Sequence, residues 1–363
     1  MSTILIFTVG ILLTIFIIIG FHEFGHYLVA KLVGVRVLRF SLGFGKILFS
    51  KTDRTGTQFA ISAIPLGGYV QMLDEDEGIV AESDKNFAFN RQAFWKKFLI
   101  IAAGPLFNLI LALILYWFIF MIGFNSVSPV IGKTTPNSIA AKANLQAKDE
   151  IIKIDNIPVA SWMSVIIRII SHTGNKDKLT ITTRSTSGNV TTHLLDLTTW
   201  KMDDLKPDPL GSLGIKIFEP TKEELKKYIH HNQYGPILAF SHAWQNTKDF
   251  TWLNLDFMGK LFTGKVSLQS LGGPISIFSG AGEALKDGAI AFMSFLAFIS
   301  IAIGVVNILP IPGLDGGHLL FKSIEAILGR PIPERILLLF YRIGFALIIL
   351  LSIRAIANDI LRL

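Results

Sequence analysis

The stretch ILIFTVGILLTIFIIIGFHEFGH, Ile4 to His26, decides the fold. Its first eighteen residues, Ile4 to Phe21, carry no charge, which supplies most of the roughly 20 apolar residues that a membrane-spanning helix needs. The run passes without a break into His22-Glu23-Phe24-Gly25-His26, an HExxH pentapeptide. On a helix, His22 and His26 lie one turn apart on the same face and can reach one metal ion. Glu23 then stands beside them, placed to take a proton from a metal-bound water. An ionisable group at the centre of a lipid-length helix costs roughly 2.5–3.5 kcal/mol on insertion scales, which marks such groups as functional. The competing reading is two histidines and a glutamate resting at a helix end near the membrane interface.

The rest of the 363-residue chain agrees with a membrane protein. It is 51% hydrophobic and 17% charged, where a soluble protein carries about 25% charge, and its mean hydropathy is +0.52. Four stretches are predicted to span, from Ile4 to Ala30, Phe98 to Ile122, Ile290 to Leu309 and Ile336 to Ala357. The first differs from a secretory signal. It lacks a basic leader and a clear small-residue cleavage site, and cleavage after it would orphan the metal motif. The net charge of +7 does not point to nucleic acid, because the basic residues flank the spans instead of forming one patch with aromatics. Lys31, Arg36, Arg39, Lys46, Lys51 and Arg54 follow the first span, and Arg91, Lys96 and Lys97 precede the second. The positive-inside rule places 31–97 in the cytoplasm, with both termini and the 123–289 segment outside. With no cysteine, disulfides and thiolate metal ligation are excluded.

Residues 127–218 change character to short β-type runs with polar turns. Asp149–Asp155 reads as a strand with a turn at Asp155-Asn156. The runs 179–184 and 190–194 flank Ser187-Gly188-Asn189, a hairpin signal. This pattern resembles a PDZ domain, in the circular arrangement found in bacterial membrane and periplasmic proteases. Asn144 stands where such domains often have glycine, and asparagine tolerates the left-handed conformation. PDZ domains bind extended peptides or chain ends by strand addition; a small β-domain without a ligand is the alternative. His172, His193, His230, His231 and His242 fall in this outer part and read as surface or structural histidines. Residues 219–289 form a third segment, in which 235–264 is predicted to be an amphipathic helix on the outer membrane surface.

Two histidines do not complete a catalytic zinc site, which needs a third protein ligand and an open water position. The candidate lies at the far end of the third span, in Asn307-Ile-Leu-Pro310-Ile-Pro312-Gly-Leu314-Asp315-Gly316-Gly317-His318. Alone, Asp-Gly-Gly is a turn signal. Its position, on the same side as the end of the first span and after helix-breaking Pro310 and Pro312, favours Asp315 as the ligand. His318 competes with it.

Together these motifs resemble the site-2 protease family, the M50-type intramembrane zinc metalloproteases, and most nearly the bacterial type that regulates sigma-E. The resemblance extends through Phe40–Gly45, Ile64–Val70, Ala103–Asn108 and Gly273–Ile277. It implies a polytopic α-helical membrane protein of about four spans, with membrane-associated β-structure at 57–73 and an inserted PDZ domain. It implies Zn2+ held by His22, His26 and Asp315, with Glu23 as general base. Asn307, Pro310, Pro312, Gly67, Gly68 and Tyr69 are the residues it suggests for contact with substrate, the last three by β-addition at a strand edge. The implied partners are the lipid bilayer and single-span substrates, such as anti-sigma factors and remnant signal peptides. The implied site of action is a bacterial inner membrane. This chain departs from the type in having room for one PDZ domain where two in tandem are common. It also has Ala302 where an asparagine is frequent. A catalytically silent PDZ scaffold and a metal-binding or transport protein are the rival readings.

Overall fold

The computed structural model describes residues 3–175 and 177–362, with backbone alone at 66, 222 and 225. In chain order, helix α1 (Thr3–Leu32) leads into strands β1 (Val37–Thr52) and β2 (Gln58–Met72), followed by α2 (Phe94–Ile122). The β-rich middle holds β3 (Phe124–Val127), β4 (Ile131–Thr134), α3 (Ile139–Lys142), β5 (Glu150–Ile154), β6 (Ile157–Pro158) and α4 (Trp162–Ile170). It continues with β7 (Lys178–Arg184), β8 (Val190–Asp196), α5 (Pro209–Leu213), β9 (Ile215–Ile217), α6 (Lys222–Tyr228) and β10 (Ile229–Asn232). Five helices close the chain: α7 (Pro236–Phe262), α8 (Pro274–Asp287), α9 (Ala289–Ile308), α10 (Asp315–Leu328) and α11 (Glu334–Arg362). Among the described residues four helices, α1, α2, α9 and α11, are long and apolar enough to cross a membrane. At 1.5 Å per residue the 30 residues of α1 extend about 45 Å.

The chain divides into two compact units. The first comprises residues up to Phe118, Phe240–Thr251 and Pro274–Ile353. Its centre is a cluster in which Ile18 of α1 meets Leu111 of α2 and Phe292, Leu296 and Ile299 of α9. In lipid such helices associate through close packing and polar contacts, because hydrocarbon tails are as apolar as leucine. A second cluster joins Ala30, Val35, Val37 and Ile100 with Tyr27, Val70 and Met72, and so seats the β1–β2 hairpin on the ends of α1 and α2.

That hairpin is folded back on itself. Residues 37–42 pair antiparallel with 68–72, 39–42 run in parallel register beside 58–61, and 47–52 pair antiparallel with 58–62. The ribbon order is therefore 47–52, 58–62, 37–42, 68–72, with Gly68–Met72 at one edge. The acidic run 74–77 leads away from it. The Arg91 guanidinium hydrogen-bonds Glu75 and holds its carboxyl below the usual range. Partial burial pushes the Asp74 carboxyl up.

The second unit comprises Ile119–Ala239, Trp252–Gly273 and the chain from Arg354 onward. Its core is formed by residues between Ile131 and Ile215, with Ile151, Ile154, Val165, Ile169, Leu179, Ile181, Leu195 and Leu213 fully enclosed. Around it lie a four-stranded sheet in the order β6-β5-β7-β8 and the paired strands β4 and β9. The alternation of β8, with His193 and Leu195 buried and their neighbours exposed, is that of a strand with one face covered. Asp155 and Asn156 both have positive φ (46° and 64°) and make the tight turn between β5 and β6; Asn144 is also left-handed at 59°. Both positions use residue types that accept this conformation at small cost.

Candidate metal centre

α1 presents His22 and His26 one turn apart, with ring centroids 5.0 Å apart and planes at 81°. Their Nε2 atoms are 3.3 Å apart. Pro310 and Pro312 end α9, since neither can donate to a helical ladder, and the chain turns through 309–314 to begin α10 at Asp315. This link returns the carboxylate to the two rings. Asp315 Oδ2 lies 3.1 Å from His22 Nε2 and 3.5 Å from His26 Nε2. The three side chains are 12%, 11% and 21% exposed, so the cluster is nearly enclosed.

The donor set fits a zinc ion. Tetrahedral ligands at about 2.0–2.1 Å from zinc stand about 3.3 Å from one another, and the three edges measured here bracket that value. Asp315 Oδ2 is buried without a hydrogen-bond donor among the described residues. His26 Nδ1 donates to the Ile100 carbonyl at 2.7 Å, which leaves its Nε2 as a lone pair. Lone pairs facing a carboxylate oxygen at this range repel unless a cation lies between them.

Glu23 is buried next to His22 in the same helix turn. Gly68 of β2 faces it closely: a Cβ there would fall 2.7 Å from Glu23 Cγ and 2.9 Å from the Ser41 carbonyl. The other residues singled out in the sequence are not among the three clustered ligands. Tyr69 stacks on Phe44 at 6.1 Å and accepts a hydrogen bond from Arg39. Gly67 holds a φ of 137° in the same strand. Asn307 is half-buried on the last turn of α9, and its side chain makes no hydrogen bond among the described residues. Pro310 and Pro312 line an apolar cavity of about 540 Å³ with Phe321, Ile336 and Phe340. His318 turns elsewhere, with Nδ1 3.2 Å from the Tyr341 hydroxyl, and is not among the three clustered ligand atoms.

Two residues of α2 touch the imidazoles although sequence reasoning gave them no role. Asn108 is fully buried with Nδ2 3.2 Å from His22 Nδ1. Gly104 leaves the space the rings occupy, since a Cβ there would sit 2.3 Å from His26 Nε2. The available signal was a lone amide inside an otherwise apolar span.

The histidines of the second unit are committed to other partners. His172 lies between Asp155 and Asp177, His193 between the Ala143 carbonyl and Thr183, His230 against Ser128 and His231 against Asn125.

A family model described as Peptidase family M50 matches residues 10–351. A regulator of sigma E protease from Salmonella typhi is 35% identical, over 99% of this chain and 98% of its own length. The regulator of sigma-E protease RseP of Escherichia coli K12 is 34% identical with the same coverage. A Vibrio cholerae protein that carries a zinc-metalloprotease name is 33% identical over 98% of both. The alignment to the Escherichia coli protein is 446 positions long, more than 363 residues can fill, so that relative carries a domain-sized amount of sequence with no counterpart here. With an HExxH helix, a returning aspartate and full-length similarity of this kind, the chain belongs to peptidase family M50, the site-2 protease family, and is a metalloprotease.

Proposed function

We propose that this protein hydrolyses peptide bonds of single-span membrane proteins within or beside the bilayer, as an intramembrane zinc protease. The observation that carries the reading is the triangle of His22 Nε2, His26 Nε2 and Asp315 Oδ2, with edges of 3.1–3.5 Å, enclosed beside Glu23. Held by these three atoms, a zinc ion supplies Lewis acidity and an acidified water. Glu23 takes the proton of the attacking water and returns it to the leaving amine. The low exposure of the cluster keeps the charges of Glu23 and Asp315 poorly screened, which strengthens their effect on the reacting groups.

A helical substrate hides its carbonyls in hydrogen bonds and must be extended before attack. The edge ribbon Gly68–Met72 offers unpaired backbone for that purpose, next to Glu23, and Gly67, Gly68 and Tyr69 are the docking positions. Asn307, Pro310 and Pro312 border the route by which the substrate reaches Asp315. The substrates are of the anti-sigma-factor and remnant signal-peptide type, in keeping with the sigma-E names of the relatives. We assign the 127–218 stretch as a single PDZ domain. The domain-sized difference in length from the Escherichia coli protein supports one copy in place of two. Charge flanking supports an orientation in a bacterial inner membrane with 31–97 on the cytoplasmic side, the termini and the PDZ domain in the periplasm and α7 along the outer surface.

The test is cleavage of a single-span, amino-terminus-inside model substrate by purified protein and by Glu23→Gln, with zinc content measured in both. Cleavage by the parent and none by the variant, with one zinc in each, is the expected result. Zinc binding by both with cleavage by neither, across several substrates, would favour a silent scaffold or a transport role.

A further inference from the structure

One arrangement on α2 is not explained by the three ligands and the base. Ile100, Gly104 and Asn108 are spaced four residues apart on α2, and so share one helix face. That face lies against both imidazoles. At one end the Ile100 carbonyl accepts from His26 Nδ1 at 2.7 Å. In the middle Gly104 leaves the gap into which His26 Nε2 and His22 Cε1 fit. At the other end the Asn108 amide contacts His22 Nδ1 at 3.2 Å. Pro105 follows Gly104 inside the helix and cannot donate to Ile101, so the ladder is interrupted where the rings dock. The Asn108 backbone is itself tethered to α9, because Ser300 donates its hydroxyl to the Asn108 carbonyl at 2.8 Å.

The chemistry of the rings fixes what the amide must do. Both Nε2 atoms point at Asp315 Oδ2, so a metal bound there takes the Nε2 lone pair of each ring. A neutral imidazole with a free Nε2 lone pair carries its hydrogen on Nδ1. For His26 the Ile100 carbonyl receives that hydrogen. For His22 the neighbour of Nδ1 is Asn108, and only its Oδ1 can accept. In the structure Nδ2 faces the ring while Oδ1 is buried without a partner. Oxygen and nitrogen of an amide exchange places by a half-turn about its last torsion. The exchange leaves the number of unpartnered amide atoms unchanged, and it removes the hydrogen that the opposite tautomer would aim at the metal.

We propose that Asn108 is a positioning residue of the metal centre: its side-chain oxygen accepts the Nδ1 hydrogen of His22, as the Ile100 carbonyl does for His26, and thereby fixes the tautomer and ring orientation that hold zinc. Contacts of this kind raise ligand basicity, and their loss costs roughly 10–100-fold in metal affinity or activity. The inference rests on the zinc site proposed above.

The experiment uses full-length protein in detergent micelles, loaded with zinc and titrated with a graded chelator, with cleavage followed in parallel. Asn108→Leu is expected to release zinc at roughly 10–100-fold weaker chelator competition, while Asn108→Asp, which keeps an acceptor oxygen, stays within a few-fold of the parent. A merely structural role would weaken both variants alike, and that outcome overturns the proposal, as does an Asn108→Leu protein that holds zinc as tightly as the parent. Failure of the parent itself to bind zinc would instead remove the site reading. If Asn108→Leu does not fold, nitrogen-15 histidine spectra of the zinc-loaded parent decide the matter. A His22 ring with a hydrogen-bonded Nδ1–H and metal on Nε2 is expected, and metal on Nδ1 would overturn the assignment.

Discussion

The molecule holds two constellations of histidine and aspartate, and they differ in how the ring nitrogens are spent. In the first unit, His22 and His26 aim both Nε2 atoms at Asp315 and give Nδ1 to contacts on α2. In the second, His172 uses Nε2 on Asp155 at 2.7 Å and Nδ1 on Asp177 at 3.1 Å. One ring between two carboxylates turns both nitrogens to partners of its own unit, and it ties the turn after β5 to the chain before β7. Two rings on one carboxylate oxygen, each with its second nitrogen satisfied elsewhere, present converging lone pairs. A metal centre is thus distinguished by the direction of its unspent donors, since both clusters have the same residue types.

The sharpest way to break this contrast is to remove the shared oxygen. Asp315→Ala is expected to drop zinc below one per protein and abolish cleavage, measured by metal analysis and substrate turnover; retained zinc would mean that another residue, such as His318, completes the site. Glu23→Gln is expected to lower cleavage about 10²–10⁴-fold with zinc retained, which separates the base from the ligands. Gly104→Ala should follow at roughly 10²-fold, the scale of a displacement near 1 Å at a reacting centre, because its methyl would lie 2.3 Å from His26 Nε2. Zinc content and turnover checked together would tell ring displacement from metal loss. The smallest effect belongs to the other constellation. His172→Gln should cost the second unit about 1–2 kcal/mol, seen as faster hydrogen exchange in β5 and β7, with zinc content unchanged. A change in zinc content there would end the contrast drawn above.

The span and motif of α1 were legible because an uncharged run and a fixed i, i+4 spacing are both local signals. Asp315 was legible for a related reason, since two prolines at the end of an apolar run say where the helix must stop. The turn at Asp155-Asn156 and the left-handed Asn144 were carried by residue type alone. β1 was not read as a strand. Its sixteen residues shift register repeatedly and pair with both ends of β2, so no steady alternation marks them. Helix α8 was met only as the short run 273–277, and its fourteen residues carry no span-length signal. Asn108 lies 86 positions from His22, and its contact exists only once α2 is packed against α1. A sequence reports that an amide is costly in an apolar helix, and the packing then reports which ring it serves.

The stripe on α2 also has a mechanical consequence. Ile100 and Asn108 are eight residues, or about 12 Å, apart along the helix, and they grip His26 and His22 from opposite ends with Gly104 between. A slide of α2 by a single residue, about 1.5 Å, would release both grips and drive a backbone into the rings. The first two spans therefore work as a clamp that cannot shear while it holds its load.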